Sequence, residues 1–129
     1  MTAQTASEPV VVDSSGWLEY ITADTKAALF APYFESGRPL LVPVIVLYEV
    51  RKILLLRSSK TLADLFVSEA LRRIIVPIDE QATLSAAALS VQYQLAMADA
   101  LLYATARTQD AQFITSEAHF RNLPHVKMI

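Results

Sequence analysis

The chain has no cysteine, just two histidines (His119 and His125), and no uninterrupted apolar run near the roughly 18 residues that cross a bilayer. Without cysteine there are no disulfides and no thiolate metal sites, which agrees with a cytoplasmic location. Two imidazoles are too few to build a metal site. Any bound metal must therefore be held mainly by carboxylate oxygen, which favours Mg²⁺ or Mn²⁺ over Zn²⁺. Residues 1–8 are polar and lack both a basic start and an apolar signal region, which argues against export; they read as a disordered N-terminal tail. Basic charge is not in surplus. The formal net charge is −2, which speaks against broad, non-specific affinity for nucleic acid. A local basic rim is available from Arg51, Lys52, Arg57 and Lys60, and from Arg72 with Arg73, although such groups ordinarily solvate helix surfaces. Internal repeats, linkers and low-complexity segments are also missing.

What is present suits one domain, residues 9–129 of 129, with 53% hydrophobic residues and a mean hydropathy of +0.35. The excess implies a thick core plus an apolar contact surface, read as a homodimer or partner interface. Residues 9–12 form an apolar β-branched run. They predict a buried strand that delivers Asp13 into a loop, Ser14-Ser15-Gly16, opening a short amphipathic piece over 17–21. Asp24 is placed to cap a helix through about Phe34, and Gly37-Arg38-Pro39 breaks it. Residues 40–42 predict a short strand, and Pro43 suits the first turn of a helix running to about Arg57. On that helix a rotation of about 100° per residue puts Glu49 among Ile45, Val46, Ile53 and Leu56. Contact with Lys52 three residues on is the plain alternative.

Residues 61–71 predict a helix with Leu62, Leu65, Phe66 and Leu71 on one side, and residues 74–78 a strand. Asp79 then caps an Ala-rich helix through about Gln94, so Asp79 and Glu80 read as cap and dipole chemistry. Residues 112–115 predict a strand with Glu117 in the loop beyond it, and residues 126–129 a last one. This alternation predicts an α/β fold with a short, mainly parallel sheet and right-handed crossovers. Ligands in such folds bind at the C-terminal ends of the strands, where Asp13 and Glu117 fall.

Residues 95–106 hold one acid, Asp99, in a run that otherwise calls for burial. A buried carboxylate needs a partner: a metal ion, a cation, or the free N–H groups of a helix start. Asp13, Glu49, Asp99 and Glu117 each lie at a strand exit or on an apolar helix face. Packed together, four such groups repel unless a cation lies among them. A divalent ion makes the set a hydrolytic site, because it lowers the pKa of a bound water and polarises a phosphoryl oxygen.

The same residues resemble the PIN-domain family, particularly its VapC-type toxins, over nearly the whole chain. Val10-Val11-Val12-Asp13-Ser14-Ser15 resembles that family's first strand and acid, and residues 43–50 its second acid, Glu49. Residues 98–106 resemble the third, and Thr115-Ser116-Glu117-Ala118-His119-Phe120 the fourth. The resemblance implies a three-layer α/β/α domain and a Mg²⁺- or Mn²⁺-dependent endoribonuclease that cuts RNA. It also implies the toxin role in a type II toxin–antitoxin pair, with a cognate antitoxin seated on the surface around residues 43–71. Asp13, Glu49 and Asp99 would be metal ligands and general-base groups, Glu117 the fourth acid acting through water, and Ser14 and Thr115 their hydroxyl supports. Turn and helix-cap bonding is the other role open to those hydroxyls. The family usually has Asp at the fourth position. Glu117 is longer by a methylene, which puts direct ligation and a second metal in doubt. His119 reads as a structural or rim residue.

Other readings are an RNA-processing nuclease of the same fold and a non-catalytic dimeric interaction module. An aspartyl-phosphate receiver would need a late-strand Lys. Lys127, at the very end of the chain, does not supply it.

Overall fold

The computed structural model describes residues 8–129, so the tail expected over residues 1–8 lies, Glu8 apart, outside the described residues. From Glu8 onward the chain alternates strands and helices. Strand β1 (Val10–Val12) leads into helix α1 (Ser14–Ile21) and α2 (Ala27–Glu35); β2 (Leu40–Pro43) leads into α3 (Val44–Arg57) and α4 (Lys60–Leu71). After β3 (Ile74–Val76) come α5 (Glu80–Tyr93) and α6 (Met97–Thr108), then β4 (Gln112–Thr115), a 3₁₀ turn (Ala118–Phe120) and β5 (Val126–Met128).

The strands form one sheet in the order β3-β2-β1-β4-β5, and every neighbouring pair is parallel. Chain progression runs outward from β1 to β3 and then jumps back across β1 to β4. With right-handed crossovers, this reversal puts α1–α4 on one face and α5–α6 on the other, the three-layer α/β/α arrangement. Its switch point lies between β1 and β4, where a crevice opens beyond the strand ends. β1 is buried on both faces: Val10, Val11 and Val12 are each 0% exposed, which explains why three β-branched residues run in succession.

Several local expectations need correction. No loop separates β1 from α1, because Asp13 is itself the helix N-cap. Asp24 does not cap α2; its side chain accepts from the Thr25 N–H, and the cap position is Lys26. On α3 the buried stripe is Val46, Val50 and Leu54, whereas Leu56 is 72% exposed. On α4 it is Ala63, Phe66 and Ala70, leaving Leu65 and Leu71 exposed. Small alanines let α4 pack closely, an economy of volume that counting large apolar residues overlooks. Asp79 caps α5 as expected, accepting from the Ala82 N–H at 2.9 Å.

Gly16 sits where the chain has no room for a side chain. A Cβ there would lie 2.5 Å from Val12 Cγ1 and 2.6 Å from Phe30 Cε1, both in the packed core. Glycine in a helix is worth about 0.5–1 kcal/mol less than alanine, but overpacking of this kind costs about 1–3 kcal/mol, so the clash decides the sign. Gly16→Ala is therefore expected to lower the denaturant midpoint and to loosen the Asp13 cap. A midpoint at or above wild type would show that Phe30 moves aside freely.

Candidate active site

Register alone brings the first two site residues together. Val12 of β1 pairs with Ile114 of β4, so Asp13 and Thr115 follow side by side at the C-terminal edge of the sheet. The Thr115 hydroxyl donates to Asp13 Oδ2, and its oxygen accepts the Glu117 backbone N–H at 2.9 Å. Asp13 Oδ1 accepts from Ser15 Oγ and from the Gly16 N–H, each at 2.9 Å. Asp13 is 3% exposed and Thr115 0%, so this carboxyl is fixed at both oxygens from three directions. Burial dominates its acidity and pushes it up to about 6, against the pull of the Thr115, Gly16 and Ser15 hydrogen bonds.

Glu49 reaches the same place from the middle of α3. Ser14 Oγ donates to its Oε1 at 2.6 Å, tying α3 to the first turn of α1. Lys52, the alternative partner three residues on, instead lies over the Tyr48 ring, 5.5 Å from the centroid. Asp99 comes from the first turn of α6 on the opposite face. It does not cap that helix; the cap position is Ala96, which makes no side-chain cap bond. Its Oδ2 lies 3.0 Å from Nε2 of His119, and Glu117 Oε2 lies 3.9 Å from the same nitrogen. Burial raises the pKa of Asp99, with the charge of Glu117 adding and that of His119 opposing.

Asp13, Ser14, Ser15, Glu49, Asp99, Glu117 and His119 line one cleft of about 340 Å³, walled on its apolar side by Leu18, Ile53 and Leu102. The four acids come from four separate segments, and no Lys or Arg lines the cleft among the described residues. Most of the basic groups suggested as a rim are engaged elsewhere: Arg51 and Lys60 with Asp64, Arg72 and Arg73 with Glu69. An all-oxygen anionic donor set without a protein counter-charge suits a hard divalent cation. Yet among the described residues no three acidic or imidazole groups stand close enough to hold an ion jointly as they are placed. The chemistry of the set fits Mg²⁺ or Mn²⁺, and loading requires side-chain adjustment.

The PIN domain profile matches residues 10–126. The chain belongs to the PIN domain family. No curated protein matches the sequence. Solved structures share the PIN fold at low identity. A toxin–antitoxin complex from Klebsiella pneumoniae superposes with a TM-score of 0.79 at 19% identity, over 92% of this chain and 96% of that one. VapBC2 from Rickettsia felis, bound to a promoter DNA fragment, gives 0.73 at 14% identity, covering 94% and 97%. VapC20 of Mycobacterium tuberculosis, described as a Sarcin-Ricin loop cleaving toxin, gives 0.70 at 18%, covering 80% and 85%.

Two side chains at this PIN-domain cleft carry more than their sequence context suggested. Ser15 secures Asp13, and the Asp-Ser-Ser-Gly run at a strand exit could have signalled that as a capping turn. His119 stands on the rim, as expected, but in direct contact with Asp99. Local sequence carries no sign of that contact, since α6 and the loop after β4 meet only in the fold.

Proposed function

We propose that this PIN domain is a metal-dependent endoribonuclease and the toxin of a type II toxin–antitoxin pair. The observation that carries the reading is the convergence of Asp13, Glu49, Asp99 and Glu117 on one cleft without a basic partner. Toxin–antitoxin assemblies among the structural neighbours, and a Sarcin-Ricin loop cleaving toxin among them, support it.

Asp13, Glu49 and Asp99 would hold Mg²⁺ or Mn²⁺, with Glu117 contributing through water. When bound, such an ion makes a water nucleophilic near neutral pH and offsets charge on the phosphoryl oxygens. The protein supplies position. Thr115, Ser15 and the Gly16 N–H lock Asp13, Ser14 orients Glu49, and Leu18, Ile53 and Leu102 keep bulk water from one side of the cleft. The ionised carboxylates accept the proton that attacking water releases.

In this reading the protein works in the cytoplasm, as a homodimer, with a cognate antitoxin covering the outer side of α3 and α4. There Tyr48, Leu56 and Leu65 are exposed by 64%, 72% and 51%, with Arg51 and Lys52 beside them. Further uncovered apolar groups, Leu84, Val91 and Met97 on α5 and α6, would serve the second copy.

Purified protein, freed of any partner, is expected to cleave single-stranded RNA internally with Mg²⁺ or Mn²⁺ and to stop in chelator. Undiminished cleavage in chelator rejects metal dependence. No cleavage with either ion rejects the enzyme reading in favour of a binding module.

A further inference from the structure

His119 spans the gap between α6 and the loop after β4. Its Nε2 is 3.0 Å from Asp99 Oδ2 and 3.9 Å from Glu117 Oε2. The ring is anchored from below: it packs on Phe120, centroids 5.5 Å apart, and Phe120 is buried against Phe113 at 4.8 Å. From above it is open, with 54% of the side chain exposed, so it can turn outward without disturbing the core.

Asp99 and Glu117 are like charges in a partly desolvated cleft without Lys or Arg, so something must oppose their repulsion when no cation is present. The edge of the His119 ring, with Nε2 nearest Asp99 and Glu117 within 4 Å, is the group in place to do so. A divalent cation drawn to the same carboxylates competes for the oxygens that Nε2 of His119 now approaches. We propose that His119 is a positioning residue that steadies Asp99 and Glu117 in the cation-free protein and yields its place to a divalent ion. The proposal rests on the metal-dependent reading above.

Calorimetric titration of chelator-stripped protein with MnCl₂ tests it, on wild type, His119→Ala, His119→Gln and Asp99→Asn. Removing the competitor is expected to tighten Mn²⁺ binding by about three- to tenfold, the scale of about 0.7–1.4 kcal/mol for one modest hydrogen-bonding contact. His119→Gln keeps an N–H within reach and should bind like wild type. Unchanged binding by His119→Ala, with binding lost in Asp99→Asn, overturns the proposal and leaves the metal reading standing. Weaker binding by His119→Ala also overturns it, because the imidazole would then be a ligand or a support of the bound ion. Binding by none of the four proteins removes both.

Discussion

Asp99→Asn is expected to reduce RNA cleavage to below about one-thousandth of wild type, some 4 kcal/mol of transition-state stabilisation, while leaving the chelated protein as stable as before or more so. The asparagine keeps the shape of the carboxylate and the first turn of α6, so the loss would be electrostatic. Burial is the leading influence against the Asp99 charge; the attraction to His119 opposes it without cancelling it, and a smaller repulsion from Glu117 adds to burial. Removing the charge relieves more than it forfeits. Thermal melts in chelator and single-turnover cleavage with Mn²⁺ read the two halves separately. Full cleavage by the variant would remove Asp99 from the chemistry, and a large drop in melting temperature would assign it a structural role.

The second large effect is on stability against pH in the metal-free protein. Asp13 rises from 3.8 to about 6 on folding, with burial the leading cause. Between those values the folded chain keeps a proton that the unfolded chain has released, so stability must fall as pH increases. The contribution is fully present below about pH 3.8 and gone once pH passes about 6; two units correspond to about 3 kcal/mol. Asp99, also raised, acts in the same sense. Denaturant midpoints of chelated protein across this window should decline with pH, and Asp13→Asn should flatten the profile. A rising profile that Asp13→Asn leaves unaltered would contradict the desolvation account. Because cations bind the ionised form, stabilisation by Mn²⁺ should be greater at pH 7 than at pH 5.

Much of this was legible along the chain because it is written in local pattern. Three consecutive valines before Asp13 announce a strand buried on both faces, and Asp79 before an Ala-rich run announces a cap. The four candidate acids are marked in the sequence by strand exits, apolar helix surroundings and resemblance to the PIN family. Features that depend on one element meeting another were not legible. The buried stripe of α4 is Ala63, Phe66 and Ala70, because the space beside α3 accepts small side chains, and leucine positions alone do not show that. Likewise Asp13 caps α1 directly, its side chain accepting the Gly16 N–H, and only glycine fits at that position against Val12 and Phe30. Resemblance suggested Ser14 and Thr115 as supports; assigning each to its acid required the register of β1 against β4 and the proximity of α1 to α3.

Each acid of the cleft enters from its own segment: Asp13 after β1, Glu49 in α3, Asp99 in α6 and Glu117 after β4. During translation they leave the ribosome in that order, and the anionic quartet is incomplete until the β4 exit has been made and folded against β1. A nascent or truncated chain thus lacks the assembled pocket. In the proposed role, cleavage of RNA would be withheld until synthesis has passed residue 117, leaving a cognate partner time to arrive.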